Sequence, residues 1–309
     1  MINRVLIRAK VVQMLYAYKV SNNTMSLDMA KKELKKSLDK SYELYNALLR
    51  LMIELTDVQE LRLDEAKHKF LPTDDDLHPN MRFVDNEFVK KLRADQTLTE
   101  FVSDKKINWR DDELFVRLLL DKILRSEIYQ EYMQMPSTTL VRDGEVWYQL
   151  MKKVILPDDD LLEHLQSMSV YNTDDDLQII GQFVLKTIRR FEDGEASPIL
   201  PQFKDEEDSK FGEELFSITV DEMDENNAYI DQFVKTEKWD VERIALMDRL
   251  VMCVALAEIR KFPSVPVNVS LNEYIELAKD YSTPRSGQFV NGILNAVVNK
   301  LRADKVIVK

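Results

Sequence analysis

Apolar side chains recur every three or four residues along most of the chain, which is the spacing that lines one face of an α-helix. In the first segment this row consists of Val5, Ala9, Val12 and Tyr16, with Leu6 and Leu15 beside it. The pattern predicts helices over 2–21, 27–38 (with Ser26 as N-cap), 42–55, 86–102, 111–134, 144–155, 159–169, 174–192, 209–237, 239–262, 270–280 and 286–302. Strand-like composition is confined to 139–141 and 306–308, so the predicted fold class is all-α.

The low glycine content argues against nucleotide-binding folds. The chain has 6 glycines in 309 residues and no G-x-G motif. Rossmann and Walker-A loops need glycines so that the backbone can approach a phosphate. We therefore expect no nucleotide cofactor, and nothing else in the sequence predicts a cofactor.

The single cysteine and the apolar runs predict a cytoplasmic protein. Cys253 lies in an apolar helical stretch, where a small buried hydrophobe is a better interpretation than a reactive thiol. One cysteine cannot form a disulfide framework and fits a reducing compartment. Arg4 and Arg8 interrupt the apolar core that a signal peptide needs, and no run is long enough to span a membrane.

The net charge of −12 is unevenly distributed along the chain. Residues 1–50 contain ten Lys and Arg against four Asp and Glu, whereas residues 51–208 contain twenty against thirty-five. Residues 209–309 contain thirteen against sixteen. A basic head therefore precedes an acidic middle.

Two loop regions are expected, over 70–80 and 192–208. The second contains Pro198 and Pro201 and then a run of acids over 205–208. A proline-rich stretch followed by a charge run is typical of a boundary between domains.

Three aspartate triplets occur, at 74–76, 158–160 and 174–176. One interpretation is magnesium chemistry, because the acids near Asp160 have a spacing found in all-helical prenyl synthases. The other is helix N-capping, because each triplet follows Pro or Thr and acids in a first turn satisfy free N–H groups. Capping is the favoured interpretation.

No other pattern in the sequence predicts an enzyme. His68, His78 and His164 lack metal-ligand spacing, and there is no G-x-S-x-G motif. We therefore expect no catalytic residues and no metal site.

The C-terminal segment carries the most specific pattern. A buried helix over 239–262 is followed by an extended link over 265–269. Ser270 and Glu273 have the S-x-x-E spacing of a capping box. Gly292 lies inside the last helix, where glycine costs about 1 kcal/mol relative to alanine, so we expect a reason such as the close approach of another backbone.

This segment resembles the NusB family of bacterial transcription antitermination factors. The resemblance rests on 267–279 (VNVSLNEYIELAK), 288–294 (QFVNGIL) and 255–259 (ALAEI), in the family's order and spacing. The basic helix over 4–16 and the segment 210–233 are also similar to family elements. The resemblance covers about 1–40 and 207–309.

The resemblance implies two packed helical bundles and RNA binding without catalysis. It further implies a protein that pairs with NusE, a ribosomal small-subunit protein, and binds boxA-like single-stranded RNA. Such a protein would hold leader RNA to the RNA polymerase elongation complex and suppress termination in ribosomal RNA operons. A non-enzymatic, cytoplasmic role without a membrane is expected.

Candidate site residues come from helical angles and from the resemblance. At 100° per residue, Arg4, Arg8 and Lys19 share a basic edge that can contact phosphates. Gln288, Phe289 and Asn291 match the family's RNA-proximal helix start, while Phe289 as core is nearly as good an interpretation. Tyr16 is a candidate partner contact, although its spacing favours the core.

Asp248 and Arg249 match the family's acid–base pair near NusE, and an exposed ion pair is the simpler interpretation. The chain also departs from the family pattern. Arg285 stands where acids or glycines are frequent, and we expect it to strengthen RNA contact. Val5, Leu6 and Ile7 replace part of a basic cluster.

The region 41–206 has no counterpart in the family and is predicted to be an acidic helical insertion between the core segments 1–40 and 207–309. Its charge would repel RNA, so it is expected to point away from the RNA or to contact a basic protein. The alternative function is a helical protein-interaction module without RNA binding. A magnesium-dependent enzyme is a third and weaker reading.

Overall fold

The computed structural model describes residues 2–21, 24–234, 244–283 and 285–307. These residues form helices, and their one β-type pairing is an isolated bridge between Ile2 and Phe203. The helices are α1 (Arg4–Val20), α2 (Leu27–Lys67), α3 (Asp74–Leu77), α4 (Glu87–Ala94), α5 (Gln96–Lys105), α6 (Glu113–Arg125), α7 (Glu127–Gln134), α8 (Leu140–Leu150), α9 (Asp159–Met168), α10 (Asp174–Glu192), α11 (Glu206–Asp221), α12 (Met223–Val234), α13 (Leu246–Lys261), α14 (Val267–Tyr281) and α15 (Ser286–Ala303). The all-α prediction is confirmed.

None of these helices is both long enough and apolar enough to cross a lipid bilayer.

The chain divides into two compact units. The acidic unit is Asp39–Gln202, and the split unit combines Ile2–Leu38 with Phe203–Lys309. The acidic unit contains 21 Lys and Arg against 33 Asp and Glu, whereas the rest of the chain contains 22 of each. The whole net charge of −12 therefore belongs to the acidic unit. Helix α2 is continuous and contributes residues to both units.

Two tryptophans anchor the core of the acidic unit. Trp109 and Trp147 are fully buried, and the indole N–H of Trp109 donates to the carbonyl oxygen of Ala47 at 3.0 Å. The hydroxyl of Tyr45 lies 2.6 Å from the Thr187 hydroxyl and accepts from the amide of Leu200 at 3.0 Å. Helices α2 and α10 and the chain before α11 are thus joined by satisfied buried polar groups.

Two predicted long helices are each broken by a short polar residue. Asp95 divides 86–102 into α4 and α5, and its carboxylate accepts from the amide of Leu98 at 3.0 Å. Ser126 divides α6 from α7 in the same way, accepting from Tyr129 at 3.2 Å. Both side chains satisfy N–H groups that a new helix leaves free.

The predicted strands at 139–141 and 306–308 are wrong for the residues that the structure describes. Thr139 is the N-cap of α8, and its hydroxyl accepts from the amide of Arg142 at 3.4 Å. Val306 and Ile307 follow α15 without pairing to a strand, and residue 308 lies outside the described residues. The N-cap at Thr139 therefore starts a helix, although Thr139 and Val141 are β-branched residues that favour strands.

The aspartate triplets cap helices, as the favoured interpretation predicted. Thr73 with Asp76 and Thr173 with Asp176 form reciprocal capping boxes at α3 and α10. Asp158 caps α9 by accepting from the amide of Leu161 at 3.2 Å. The carboxylates are thereby accounted for by backbone hydrogen bonds and the helix dipole.

Helix α13 is the centre of the split unit. Every residue from Leu250 to Ile259 is buried, and the helix contacts α1, α11, α12, α14 and α15. Residues 239–243, which the sequence assigned to the same helix, lie outside the described residues. A helix that is apolar on all sides is expected only in a core, and α13 fulfils that expectation.

The predicted start of α14 is wrong. The helix begins at Val267 after Pro266, so 267–269 are helical and not part of an extended link. Ser270 therefore lies inside the helix and does not form a capping box with Glu273. Proline fixes φ near the helical value and lacks only an N–H that a first turn leaves unpaired, so it suits a helix start.

Candidate nucleic-acid interface

Arg8 is buried and does not belong to an exposed basic edge. Its side chain is 3% exposed, and its guanidinium donates to both carboxylate oxygens of Glu258, at 2.8 and 2.9 Å. The Glu273 carboxylate lies 3.9 Å away. This corrects the predicted exposure of Arg8, because the charge faces α13 and not solvent.

Glu258 also accepts hydrogen bonds from α14. The hydroxyls of Ser270 and Tyr274 donate to its two oxygens at 2.6 and 2.8 Å. Although burial disfavours the charge of Arg8, its hydrogen bonds to Glu258 raise the pKa of the guanidinium above its ordinary value. Burial raises the pKa of Tyr274 well above its ordinary value. The group forms a closed polar network joining α1, α13 and α14.

Arg4 is partly exposed but is already paired with acids. Its guanidinium contacts Glu207 and Asp208 on α11, each at 2.7 Å, and lies 4.7 Å above the ring of Phe211. Burial disfavours its charge, but hydrogen bonds to the two acids raise its pKa. Contact with an RNA phosphate would require Arg4 to exchange these partners.

The C-terminal end of α1 is the exposed part of the predicted edge. Lys19 is exposed, and Tyr16 is 39% exposed, so its spacing wrongly favoured the core. One turn before Tyr16, the amide of Gln13 donates to the hydroxyl of Tyr281 at 2.9 Å. This contact places the middle of α1 beside the end of α14, four residues before Arg285.

The start of α15 presents the remaining RNA candidates. Arg285, Gln288 and Asn291 are exposed, and Phe289 is half-buried. Arg285 precedes the first turn of α15, and its carbonyl accepts from the amide of Phe289 at 3.3 Å. The free N–H groups of a first helical turn favour anions such as phosphate.

The expected close approach of another backbone to Gly292 is wrong for the described residues. Gly292 is exposed, and apart from its chain neighbours and the backbone of its own helix, a Cβ placed on it would meet no atom within 4 Å in the described part of the chain. Its helical position therefore has no packing explanation within the described structure.

Asp248 and Arg249 are neighbours that bind different partners. Asp248 is buried and accepts from the hydroxyl of Ser286 at 3.0 Å, at the start of α15. Its other oxygen has no hydrogen-bond partner among the described residues. Arg249 donates to Asp231 at 2.9 Å and to Asn227 at 3.1 Å on α12. The simple exposed ion pair is therefore wrong.

Cys253 lies beside the contact between Arg249 and α12, and it is buried, as predicted. Its thiol is 3.5 Å from the side-chain oxygen of Asn227. Burial raises the pKa of Cys253 to about 12, although Lys19 and Arg249 are near enough to oppose the rise. The thiolate that a nucleophile or metal ligand requires is disfavoured here.

The sequence did not reveal that Glu258, Ser270 and Tyr274 form one buried polar network with Arg8. One signal was present: Glu258 is the only acid within the otherwise apolar 250–259 stretch. A charge in a buried helix needs a counter-charge, so a cation from another element was to be expected.

These features define an all-α protein whose split unit has a central apolar helix, a buried ionic network and an exposed polar helix start. The chain matches the NusB family model over residues 177–299. It is 40% identical over 123 residues to the transcription antitermination protein NusB of Salinibacter ruber, covering 37% of this chain and 76% of that protein. It is 35% identical over 109 residues to the same-named protein of Natranaerobius thermophilus, covering 34% and 77%. The NusB of Bacillus mycoides is 38% identical over 96 residues, covering 31% and 72%.

The chain belongs to the NusB family. The resemblance to the NusB family is thereby confirmed. The expectation that the protein is not an enzyme is confirmed with it. The family match begins at residue 177, inside α10 and the acidic unit, and ends at residue 299 in α15. No solved structure matches the chain.

Proposed function

We propose that this protein is an RNA-binding transcription antitermination factor that binds boxA-like single-stranded RNA together with NusE. It acts in the cytoplasm on the RNA polymerase elongation complex and promotes processive transcription of ribosomal RNA operons. The observation that carries the proposal is the match over most of the length of relatives named transcription antitermination proteins.

The proposed RNA surface runs from the end of α1 to the start of α15. Lys19 and Arg285 supply exposed positive charge, while Gln288, Phe289 and Asn291 offer hydrogen bonds and an aromatic ring. The contact between Gln13 and Tyr281 supports a continuous surface. Arg4 joins it if RNA displaces Glu207, whereas we assign Arg8 a structural role.

The proposed NusE surface presents Tyr16 and Arg249, with the buried Asp248 as a positioning residue. Tyr16 is an exposed aromatic side chain, a residue type enriched where proteins bind one another. Arg249 retains one fifth of its side-chain exposure while paired with Asp231. Asp248 anchors the first turn of α15 through Ser286, so it would fix the start of α15 relative to its neighbour Arg249.

We further propose that the acidic middle, about 41–206, is an insertion in the NusB-like core. The core segments 1–40 and 207–309 would then carry the RNA and NusE surfaces. Support comes from the charge difference, since the split unit has no net charge and the acidic unit holds all of it. A strongly negative unit is expected to face away from RNA.

Binding of boxA-like RNA to the purified chain, with and without NusE, tests the function. Affinity should fall steeply with salt, since phosphate contacts release counterions. Lys19→Ala and Arg285→Ala should each weaken binding and lower the slope of log K against log salt by about 0.7 per lost contact. Lys91→Ala, an exposed cation in the acidic unit, is the matched control and should leave binding unchanged.

The second candidate is a protein-interaction module without RNA binding. It is favoured by the acidic unit, which exposes Phe70 (97%) and Leu71 (81%) after α2. Exposed large apolar side chains together are typical of contact surfaces. Absence of salt-sensitive RNA binding, with NusE and without it, would establish this candidate and overturn the first.

A further inference from the structure

The acidic unit contains a cleft that is richer in positive charge than the unit as a whole. The cleft has a volume of about 620 Å³ and lies between α2, α4, α5 and the loop that follows α5; it is here called the α5 cleft. Among the described residues that line it, three are cations and one is an acid: Arg50, Arg93, Lys106 and Asp111. The unit itself has 33 acids against 21 bases. Small-molecule sites have volumes of about 300–1,000 Å³, so the cleft is large enough for one.

Asp57 holds the two arginines of the cleft in place. Arg93 Nη2 donates to one carboxylate oxygen of Asp57, and Arg50 Nη2 lies 3.9 Å from the other. Arg50 Nη2 also donates to Glu54 at 2.7 Å. Neither acid lines the cleft. A guanidinium has five N–H donors and these contacts use Nη2 alone, so Nε and Nη1 of both arginines keep donors for an anion.

Lys106 adds a cation that has no ion pair among the described residues. It is the C-cap of α5, with its backbone in the left-handed conformation at φ 55°. Its amide donates to the carbonyl of Ser103 at 3.2 Å, and the side chain of Asn108 donates to its carbonyl at 3.3 Å. These bonds fix the point from which the ammonium group reaches the cleft. An ammonium is a compact charge that suits a phosphate.

The remaining lining asks for more than a bare phosphate. The hydroxyl of Thr99 donates to the carbonyl of Asp95 at 2.8 Å, so its oxygen is left to accept. The carboxylate of Asp111 also only accepts. Both groups favour a ligand that carries O–H or N–H donors beside its phosphate. Apolar side chains complete the lining, namely Ile53, Leu98, Val102 and Ile107.

We propose that the α5 cleft binds a mononucleotide. Its phosphate contacts Arg50, Arg93 and Lys106, its sugar hydroxyls or base N–H groups donate to Thr99 and Asp111, and its base covers the apolar side chains. Side chains make these contacts, so the site does not need the glycine-rich loop on which the expectation of no nucleotide cofactor was based. The negative unit around the cleft disfavours a polyanion such as RNA more than a small ligand.

The first experiment titrates the full chain with AMP, GMP, CMP and UMP by isothermal calorimetry, with the nucleosides and inorganic phosphate as partial ligands. At least one nucleotide should bind. Its nucleoside and phosphate alone should each bind at least about tenfold more weakly, because each lacks contacts that a charge-assisted hydrogen bond or apolar burial supplies. Phosphate that binds as tightly as every nucleotide would overturn the mononucleotide assignment, as would no binding of any nucleotide.

The second experiment places the nucleotide with variants. Lys106→Gln and Arg93→Gln should each weaken its binding at least about tenfold. Lys106→Arg keeps the charge and should retain most of the affinity. Lys91→Gln is the matched control, because Lys91 is an exposed cation of α4 that does not line the cleft. The nucleotide should also raise the thermal unfolding midpoint of the unchanged chain more than that of Lys106→Gln, which shows that the variant is folded.

The remaining outcomes separate the α5 cleft from the proposed RNA surface. Lys106→Gln should bind boxA-like RNA as the unchanged chain does. Equal loss of RNA and nucleotide binding in this variant would make the cleft part of an RNA surface and overturn the inference. Unchanged nucleotide binding in Lys106→Gln and Arg93→Gln would place the nucleotide elsewhere and also overturn it. Failure of nucleotide binding leaves the proposed function standing, since that function is tested by RNA alone.

Discussion

The guanidinium of Arg8 is sealed from water against Glu258, so removing it leaves a buried carboxylate without its counter-charge. Breaking one side of a buried ion pair usually costs about 3–5 kcal/mol. We expect Arg8→Met to lower the free energy of unfolding by this amount in urea denaturation. Arg4→Ala is the matched control on the same helix, and its partly exposed pairs should contribute at most about 1 kcal/mol each.

A double variant tests whether the loss of stability comes from the unpaired charge of Glu258. Adding Glu258→Gln to Arg8→Met removes the unpaired charge and keeps one acceptor oxygen for Ser270 or Tyr274, while the amide N–H₂ can donate to the other hydroxyl. This double variant should regain part of the lost stability. An Arg8→Met chain as stable as Arg4→Ala would show that the network contributes little.

Residue environments were the least predictable part of the site. Ideal helical angles group Arg4, Arg8 and Lys19 on one side of α1, but these angles do not show which neighbouring element covers each residue. Here α11 provides acids to Arg4, α13 covers Arg8, and Lys19 is exposed. These contacts join residues more than 200 positions apart, so no local pattern contains them.

At the scale of elements, α3 and α10 begin with the same capping box in different surroundings. In each, a threonine hydroxyl accepts from the aspartate amide at 3.2 Å, at Thr73 and at Thr173. Helix α3 has four residues and none of them is buried, whereas α10 has nineteen and packs into the acidic unit. Loss of the cap should therefore matter at only one of them.

We expect Thr173→Ala to destabilise the protein by about 1 kcal/mol, and Thr73→Ala to cause no measurable change in global unfolding. Urea denaturation of the two variants checks this. Equal losses would mean that α3 is part of the cooperative core. Added magnesium should leave both midpoints unchanged, because the capping carboxylates of Asp76 and Asp176 already accept backbone hydrogen bonds.

Helix existence was predictable from the sequence, and helix ends were less so. The apolar spacing correctly indicates α1, α10, α13 and α15, whose buried faces are long. The same apolar spacing continues across Asp95 and Ser126, because a one-residue cap does not interrupt it. The sequence therefore predicted one helix where the structure has two. The start of α14 was misplaced because valines flank Pro266, and β-branched residues beside proline suggest extended chain.

At the scale of the molecule, each unit has its own core, which predicts unfolding that is not two-state. In a Trp239→Phe background the remaining tryptophans, Trp109 and Trp147, both belong to the acidic unit. Adding Arg8→Met should lower the midpoint seen by circular dichroism more than that seen by tryptophan fluorescence. Equal shifts would show that α2 couples the two units into one cooperative transition.

The split unit is completed only by residues that follow the acidic unit, and this sets an order during synthesis. Helix α1 buries Leu6, Ile7, Val11, Val12 and Leu15 against elements that begin after residue 202. The ribosome must first make the 164 residues of Asp39–Gln202. At roughly 5–20 residues per second, that apolar face waits about 8–33 s for its partners. A nascent chain paused between residues 39 and 202 is therefore a natural target for a chaperone that binds α1.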